Sequence, residues 1–184
     1  ADKLLSAAFV SVSARTAGFN ALDIGALTHE SWALHYFLMF IGGGSAGTAG
    51  GVKVGTVAIL ALLVIAEIRG RADTEAFGRR VGSSAQRQAI TVLVLGSAMV
   101  VLGTLVILRD TDIPTDQVIF EVISAFGTVG LSTGITADLP EASQLMLTLL
   151  MYVGRVGTIT LAASLALGEH RMPYRYPEEH PIVG

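Results

Sequence analysis

The chain has 184 residues, 52% hydrophobic and 15% charged, with a mean hydropathy of +0.63. Soluble domains carry about 25% charged residues, so the composition is that of an integral membrane protein. The net charge of −3 says nothing about nucleic acid, but no basic cluster with interleaved aromatics marks a nucleic-acid partner, and the lack of cysteine excludes disulfides, thiolate metal sites and cysteine nucleophiles.

In chain order, Asp2 to Ala14 reads as a short amphipathic or buried helix, without the n-region and h-region of a signal peptide. With Ala1-Asp2-Lys3 at its start, the chain reads as a piece of something longer. Asp23 to Ser31 is polar enough to lie at a membrane surface. Trp32 to Ile41 opens an apolar helix, with Trp32 and Tyr36 as expected interfacial anchors. Glycine then interrupts it: Gly42-Gly43-Gly44-Ser45-Ala46-Gly47-Thr48-Ala49-Gly50-Gly51-Val52-Lys53-Val54-Gly55 holds seven glycines in fourteen residues. Consecutive glycines fall on every helix face, so this is a break and not a one-sided packing stripe. Helix is expected again from Val54 to Ile68.

Glu67 to Arg87 is a polar linker with Arg69, Arg71, Arg79, Arg80 and Arg87. Ala89 to Leu108 gives twenty uncharged residues, enough for one crossing. Arg109 to Asp116 is short and acidic. Leu145 to Leu167 is a further crossing, with Arg155 near its middle, and the tail from Gly168 carries Arg171, Arg175 and three prolines. Five arginines in the linker and two in the tail, against one between Arg109 and Asp116, put linker and tail on the cytoplasmic side of a multi-pass protein of the cell membrane.

Between the two crossings lies the most informative stretch, Phe120 to Gly134. Pro114 and Thr115-Asp116 signal a helix start and Gly127 a stop. A helix of about a dozen residues is too short for a ~30 Å hydrocarbon core, so it enters the bilayer and ends there. The irregular run Thr128 to Gly134 survives at that depth only if buried in protein or lining water. Carbonyls lining an aqueous path replace a cation's hydration shell, aided by the negative end of the helix dipole.

The pattern occurs twice. A shift of 112 residues places Val10 on Val122, Thr16 on Thr128, Gly18 on Gly130, Met39 on Met151 and Gly42 on Gly154. Thr16-Ala17-Gly18-Phe19 and Thr128-Val129-Gly130-Leu131 are therefore paired filter candidates, glycine allowing φ > 0 and close approach to an ion. The repeated unit is short helix, Thr-x-Gly loop, surface segment and crossing helix.

Ser13-Ala14-Arg15-Thr16-Ala17-Gly18-Phe19-Asn20, the run Phe120 to Thr136, and the tail Tyr174-Arg175-Tyr176-Pro177-Glu178-Glu179 resemble the Trk/Ktr/HKT potassium transporters, the tail most of all the KtrB branch. The resemblance covers nearly the whole chain. It implies an all-α integral membrane fold of membrane–pore-loop–membrane repeats, pseudo-symmetric around a central pore, with two of four repeats present. Residues 1–68 correspond to a third repeat lacking its first helix, 69–87 to a cytoplasmic linker, 88–168 to a fourth repeat and 169–184 to a cytoplasmic tail. It further implies potassium as the transported ion, with sodium as an assisting one, and no organic cofactor in this chain. The implied partners are a second copy in a homodimer, a cytoplasmic nucleotide-binding regulatory ring of the RCK/KtrA type, the lipid bilayer and the remaining two repeats of the same subunit. The filter departs from the Thr-Val-Gly-Tyr-Gly of potassium channels after Thr-x-Gly, which implies weaker selectivity.

By the same resemblance the glycine-rich run from Gly42 to Gly51 is an intramembrane loop below the filter that obstructs permeation. Lys53 either belongs to that gate or snorkels to the cytoplasmic side. Arg155 falls on Gly43 under the 112-residue shift, at the level of the break. A charge in mid-crossing faces the interior, either as an electrostatic barrier or as half of a structural ion pair. Glu121 is expected to satisfy local donors and not to bind the ion. Asp23, Asp110, Asp112, Asp116 and Asp138 concentrate cations at the outer mouth or form a solvated rim. The histidines lack ligand spacing, and nothing suggests catalysis. The expected function is potassium uptake through a carbonyl-lined filter; a non-conducting structural subunit and a cation-coupled symporter are the two other readings.

Overall fold

A computed structural model of the chain describes residues 2–44, 49–71 and 73–157. Ser45, Ala46, Gly47 and Thr48 of the expected gate, the end of the last crossing and the tail lie outside the described residues. The described chain is helical: α1 (Asp2–Ser13), α2 (His29–Phe40), α3 (Val54–Ile68), α4 (Ser83–Arg109), α5 (Thr115–Phe126) and α6 (Glu141–Tyr152). One two-stranded antiparallel hairpin pairs β1 (Glu75–Ala76) with β2 (Arg79–Arg80). The order short helix, irregular turn, 3-10 turn, second helix occurs twice, as α1, Ile24–Ala26, α2 and again as α5, Ile135–Asp138, α6. All four of these helices have twelve residues.

At 1.5 Å per residue α1 and α5 measure about 18 Å, well short of a ~30 Å hydrocarbon core, whereas α6 runs on into a π-helical turn, Val153–Gly157. Among the described residues α4, with 27, is the one helix long and apolar enough to cross a bilayer, and α3 is a shorter apolar helix. It begins six residues before the expected start at Ala89, inside the segment read as linker. That linker also holds the hairpin, which the sequence reading did not foresee. Its turn, Phe77 at φ 50° and Gly78 at φ 73°, has the positive φ at both central residues that a two-residue hairpin requires.

The core gathers on α5. It ends where Gly127 was read as a stop, and eight of its residues are buried: Val118 and Phe120 to Phe126. The helix packs against α2, α4 and α6, and its buried polar groups, Glu121 and Ser124, are hydrogen-bonded to the loop that follows. On the α2 side, Trp32, Tyr36 and His35 surround the Phe120 ring at 6.1 to 6.3 Å between centroids. Trp32 is only 4% exposed and its indole N–H donates to the Ile24 carbonyl at 2.8 Å. It is therefore a core residue and not the expected interfacial anchor; the hydrogen bond lets its polar edge be buried without penalty. On the α4 side, Gly96 receives the Phe126 ring and Gly103 the Leu150 side chain. These glycines lie seven residues apart on one face, the small-residue device by which helices approach closely in lipid.

Candidate functional site

Each short helix ends in a turn of unusual backbone. Among the described residues three non-glycine positions have φ > 0, and two of them are Thr16 (φ 67°) and Thr128 (φ 52°). A β-branched residue in that region is an outlier, and such strain persists only where the surroundings enforce it. Two residues on, Gly18 (φ 69°) and Gly130 (φ 91°) are also left-handed.

Hydrogen bonding divides the two sides of each turn. In the first, the Ala17 and Gly18 amides both donate to the Ser13 carbonyl at 3.1 Å; in the second, Thr128 donates to Ala125 at 3.0 Å and Val129 to Ser124 at 2.9 Å. The donors are tied back to the helix. By contrast the carbonyls of Thr16, Ala17 and Gly18, and of Thr128, Val129 and Gly130, accept no hydrogen bond among the described residues. The next carbonyl in each turn is held from behind: Ser13 Oγ donates to Phe19 at 2.6 Å and Ser124 Oγ to Leu131 at 2.6 Å. Backbone carbonyls left without a donor have acceptor sites open to water or a cation.

The turns meet. A Cβ on Gly18 would fall on the Val129 carbonyl oxygen, with the Gly130 Cα at 3.5 Å. The glycine-rich break seats beneath the second turn. Gly50 lies against the Thr128 side chain, with the Gly127 carbonyl 2.9 Å from where its Cβ would be, and Gly51 lies against the Gly127 Cα. Thr128 Oγ1 is buried there without a hydrogen-bond partner among the described residues.

The break itself leaves α2 and returns to the same level. Ile41 and Val52 form a parallel bridge, the Gly42 amide donates to the Val52 carbonyl at 2.8 Å, and the Val52 amide to Phe40 at 3.1 Å. Gly42 is buried, Gly43 half-buried against Ala49, and Gly44 exposed with no neighbour near it among the described residues. The Lys53 ammonium donates to the Ala49 carbonyl, tying the foot of the loop to its own end. In the second copy the equivalent level is a π-helical turn, Val153–Gly157, a local widening that recurs at functional sites. There Gly154 packs backbone to backbone on Phe126, and Arg155 is near enough to Lys53 for the two cations to interact.

Of the expected filter residues Thr16, Ala17, Gly18, Phe19, Thr128, Val129, Gly130 and Leu131, the two turns thus touch where Gly18 meets Val129 and Gly130, and of the expected gate Gly50 and Gly51 lie against Gly127 and Thr128. Gly44 stands apart. The five aspartates do not converge, and no group of three metal-ligating side chains exists among the described residues. Asp116 pairs with His29 at 2.8 Å and Asp23 caps the Ile24–Ala26 turn. Glu121 meets local donors, as expected. The residues missed from sequence are Ser13 and Ser124. Their signal was a serine in the last turn of each short helix, visible only once the chain is known to reverse onto it.

Known proteins place this arrangement in context. The cation transport protein family TrkH matches residues 1–170. The potassium/sodium uptake protein NtpJ of Enterococcus hirae is 39% identical over the whole chain, which covers 42% of that protein. The Ktr system potassium uptake proteins B of Bacillus subtilis and Vibrio alginolyticus are 38% and 36% identical, over 100% and 98% of the chain and 41% and 39% of their own lengths. The chain therefore spans about two fifths of the length of these relatives.

Proposed function

This chain belongs to the TrkH cation transport protein family, and on that premise we propose that it forms two of four lobes of a potassium uptake pore in the cell membrane. The lobes are membrane–pore-loop–membrane units: residues 1–68 supply part of one and 88–168 the other, with 69–87 and 169–184 on the cytoplasmic side. The carbonyls of Thr16, Ala17, Gly18 and Phe19 and of Thr128, Val129, Gly130 and Leu131 line one sector of the ion path. One observation carries this: both Thr-x-Gly turns have left-handed threonine and glycine, with amides tied inward and the first three carbonyls unpaired. Potassium and sodium are the ions that such carbonyls suit, and relatives named as potassium/sodium and potassium uptake proteins support the same reading. Two lobes cannot ring an ion, so the remaining two belong to the same subunit. The apolar face of α1, with Leu4 79% and Val12 71% exposed, is where neighbouring membrane helices pack.

The loop from Gly42 to Gly51, with Lys53 and Arg155, forms the gate beneath this filter. Two cations at one level of a water-filled path oppose a passing cation, and the break lets the loop move without unwinding α3. The intact transporter works as a homodimer on a cytoplasmic nucleotide-binding ring, in keeping with relatives named as parts of a Ktr system.

The deciding experiment replaces Gly130 by Ser in the intact transporter and measures potassium and sodium uptake in deficient cells. Loss of potassium preference is expected; unchanged preference would leave a scaffold or symporter. Replacing Arg155 by Ala is expected to speed flux through protein that still assembles. Loss of assembled protein instead would make Arg155 a structural strut.

A further inference from the structure

We infer that Glu121 is a positioning residue for the second turn, pinning the segment that follows Leu131 and so setting the Thr128–Leu131 carbonyls that discriminate between alkali cations. This rests on the filter reading above and adds a residue to it.

Glu121 sits in the middle of α5 and is 5% exposed. A carboxylate so placed is tolerated only with its acceptor sites filled. Every contact it makes is with a donor. Oε1 accepts from the Ser132 hydroxyl at 2.7 Å, the Thr133 amide at 2.8 Å and the Thr133 hydroxyl at 3.1 Å, and Oε2 accepts from the Thr136 hydroxyl at 2.9 Å. The Ser132 oxygen in turn accepts from the Gly134 amide at 2.9 Å. Three donors converge on Oε1 and one on Oε2, so most of the acceptor capacity of the carboxylate is spent on the loop. What the carboxylate holds is a loop.

The position of that loop matters because of what precedes it. Leu131, one residue before the pinned segment, is held by the Ser124 hydroxyl. Glu121 and Ser124 are three residues apart and share one face of α5. Two anchors on one helix therefore clamp the chain directly after the strained turn. Packing alone does not do this, for the turn borders a cavity of about 370 Å³ lined by Glu121, Ser124, Thr128, Gly130, Leu131 and Met151. A loop beside open space keeps its shape through its hydrogen bonds, and those to a charged group are the strong ones. The first turn lacks this device. The residue 112 positions earlier is Phe9, 46% exposed, and Ser13 alone holds the chain there. Carbonyl discrimination between potassium and sodium depends on where the oxygens stand or how they are oriented, so the two lobes contribute unequally to it.

The test compares Glu121→Ala with Glu121→Gln in the intact transporter, reading the KM and maximal rate for potassium and for sodium, with assembled protein quantified. For Glu121→Ala the KM for potassium is expected to rise and the potassium preference to fall by about tenfold or more, the effect of losing hydrogen bonds to a charged group. The sodium rate should persist. Glu121→Gln keeps an oxygen for Ser132 and Thr133 and should recover the preference to within about threefold. Unchanged preference in assembled Glu121→Ala overturns the inference, and so does equal loss in both variants, which would mean that charge and not position is what counts. Should Glu121→Ala fail to assemble, Thr136→Val removes the donor to Oε2, with the Ser132–Thr136 hydroxyl contact, and leaves the three donors to Oε1; a preference lowered by about threefold supports the inference and an unchanged one overturns it. If Gly130→Ser abolishes preference while these variants keep it, only the role of Glu121 falls; if Gly130→Ser also keeps it, the filter reading itself falls.

Discussion

The turns after α1 and after α5 share a backbone and differ in what holds it. Both place threonine and glycine at positive φ and both leave three carbonyls without a donor. Yet α1 is largely exposed, with Leu4, Leu5, Phe9 and Val12 on its surface, whereas α5 is enclosed by α2, α4 and α6 and backed by Glu121. The same left-handed threonine and glycine occur after a thinly covered helix and after an enclosed one. The Thr-x-Gly sequence and the helix end before it are common to both, and what differs between the copies is the set of side chains that holds the chain after the turn.

The largest effect that sharpens this comparison is expected at the paired glycines. Gly18→Ser drives a Cβ into the Val129 backbone carbonyl, in addition to about 1–3 kcal/mol of left-handed strain. Gly130→Ser meets nothing closer than the Gly18 Cα at 4.0 Å and carries the strain alone. Gly18→Ser should lose both assembled protein and uptake, and Gly130→Ser the potassium preference of protein that still assembles. Equal assembly of the two would break the asymmetry.

A smaller effect is expected where the glycine-rich break seats under the second turn. Gly50→Ala sets a methyl against Thr128 and the Gly127 carbonyl, and overpacking of that kind costs about 1–3 kcal/mol. Gly44→Ala, with nothing within 4 Å, should stay within about 0.5 kcal/mol of the parent. Thermal melting of detergent-solubilised protein distinguishes them, and identical melting would detach the loop from the turn.

The smallest effects concern the serine clamps. Ser124→Ala and Ser13→Ala each remove one hydroxyl-to-carbonyl bond of 2.6 Å, worth about 1 kcal/mol. Because Glu121 also holds the second turn, Ser13→Ala should reduce potassium preference more than Ser124→Ala. The reverse order would deny Glu121 its part.

Much of the architecture was legible in the sequence, for reasons that can be named. Pro114 marks the start of α5 through its fixed φ, and Gly127 its end, a close-packed position directly before the left-handed Thr128. Arg109 closes α4 because the apolar run ends there. The start of α4 was misjudged since Ser83 to Gln88 is polar, and a polar turn extends a helix readily once an apolar one follows. The hairpin escaped notice because two-residue strands carry no periodic signal. Trp32 was misread because aromatic rings sit at interfaces or in cores on the same composition, and only the Ile24 carbonyl decides between them.

Of the candidate site, sequence alone determined the repeat, the Thr-x-Gly turns, the short helices before them and the glycine break, since all of these follow from local conformational preference and from apolar length. The tertiary structure alone decided that the Gly18 and Val129 backbones meet, that Val52 returns beside Ile41 to seat the break under Thr128, and that Glu121 and Ser124 hold the chain after Leu131. Those are contacts between segments that a reversing chain brings together. Their strength depends on distance and direction in space, which residue spacing does not encode.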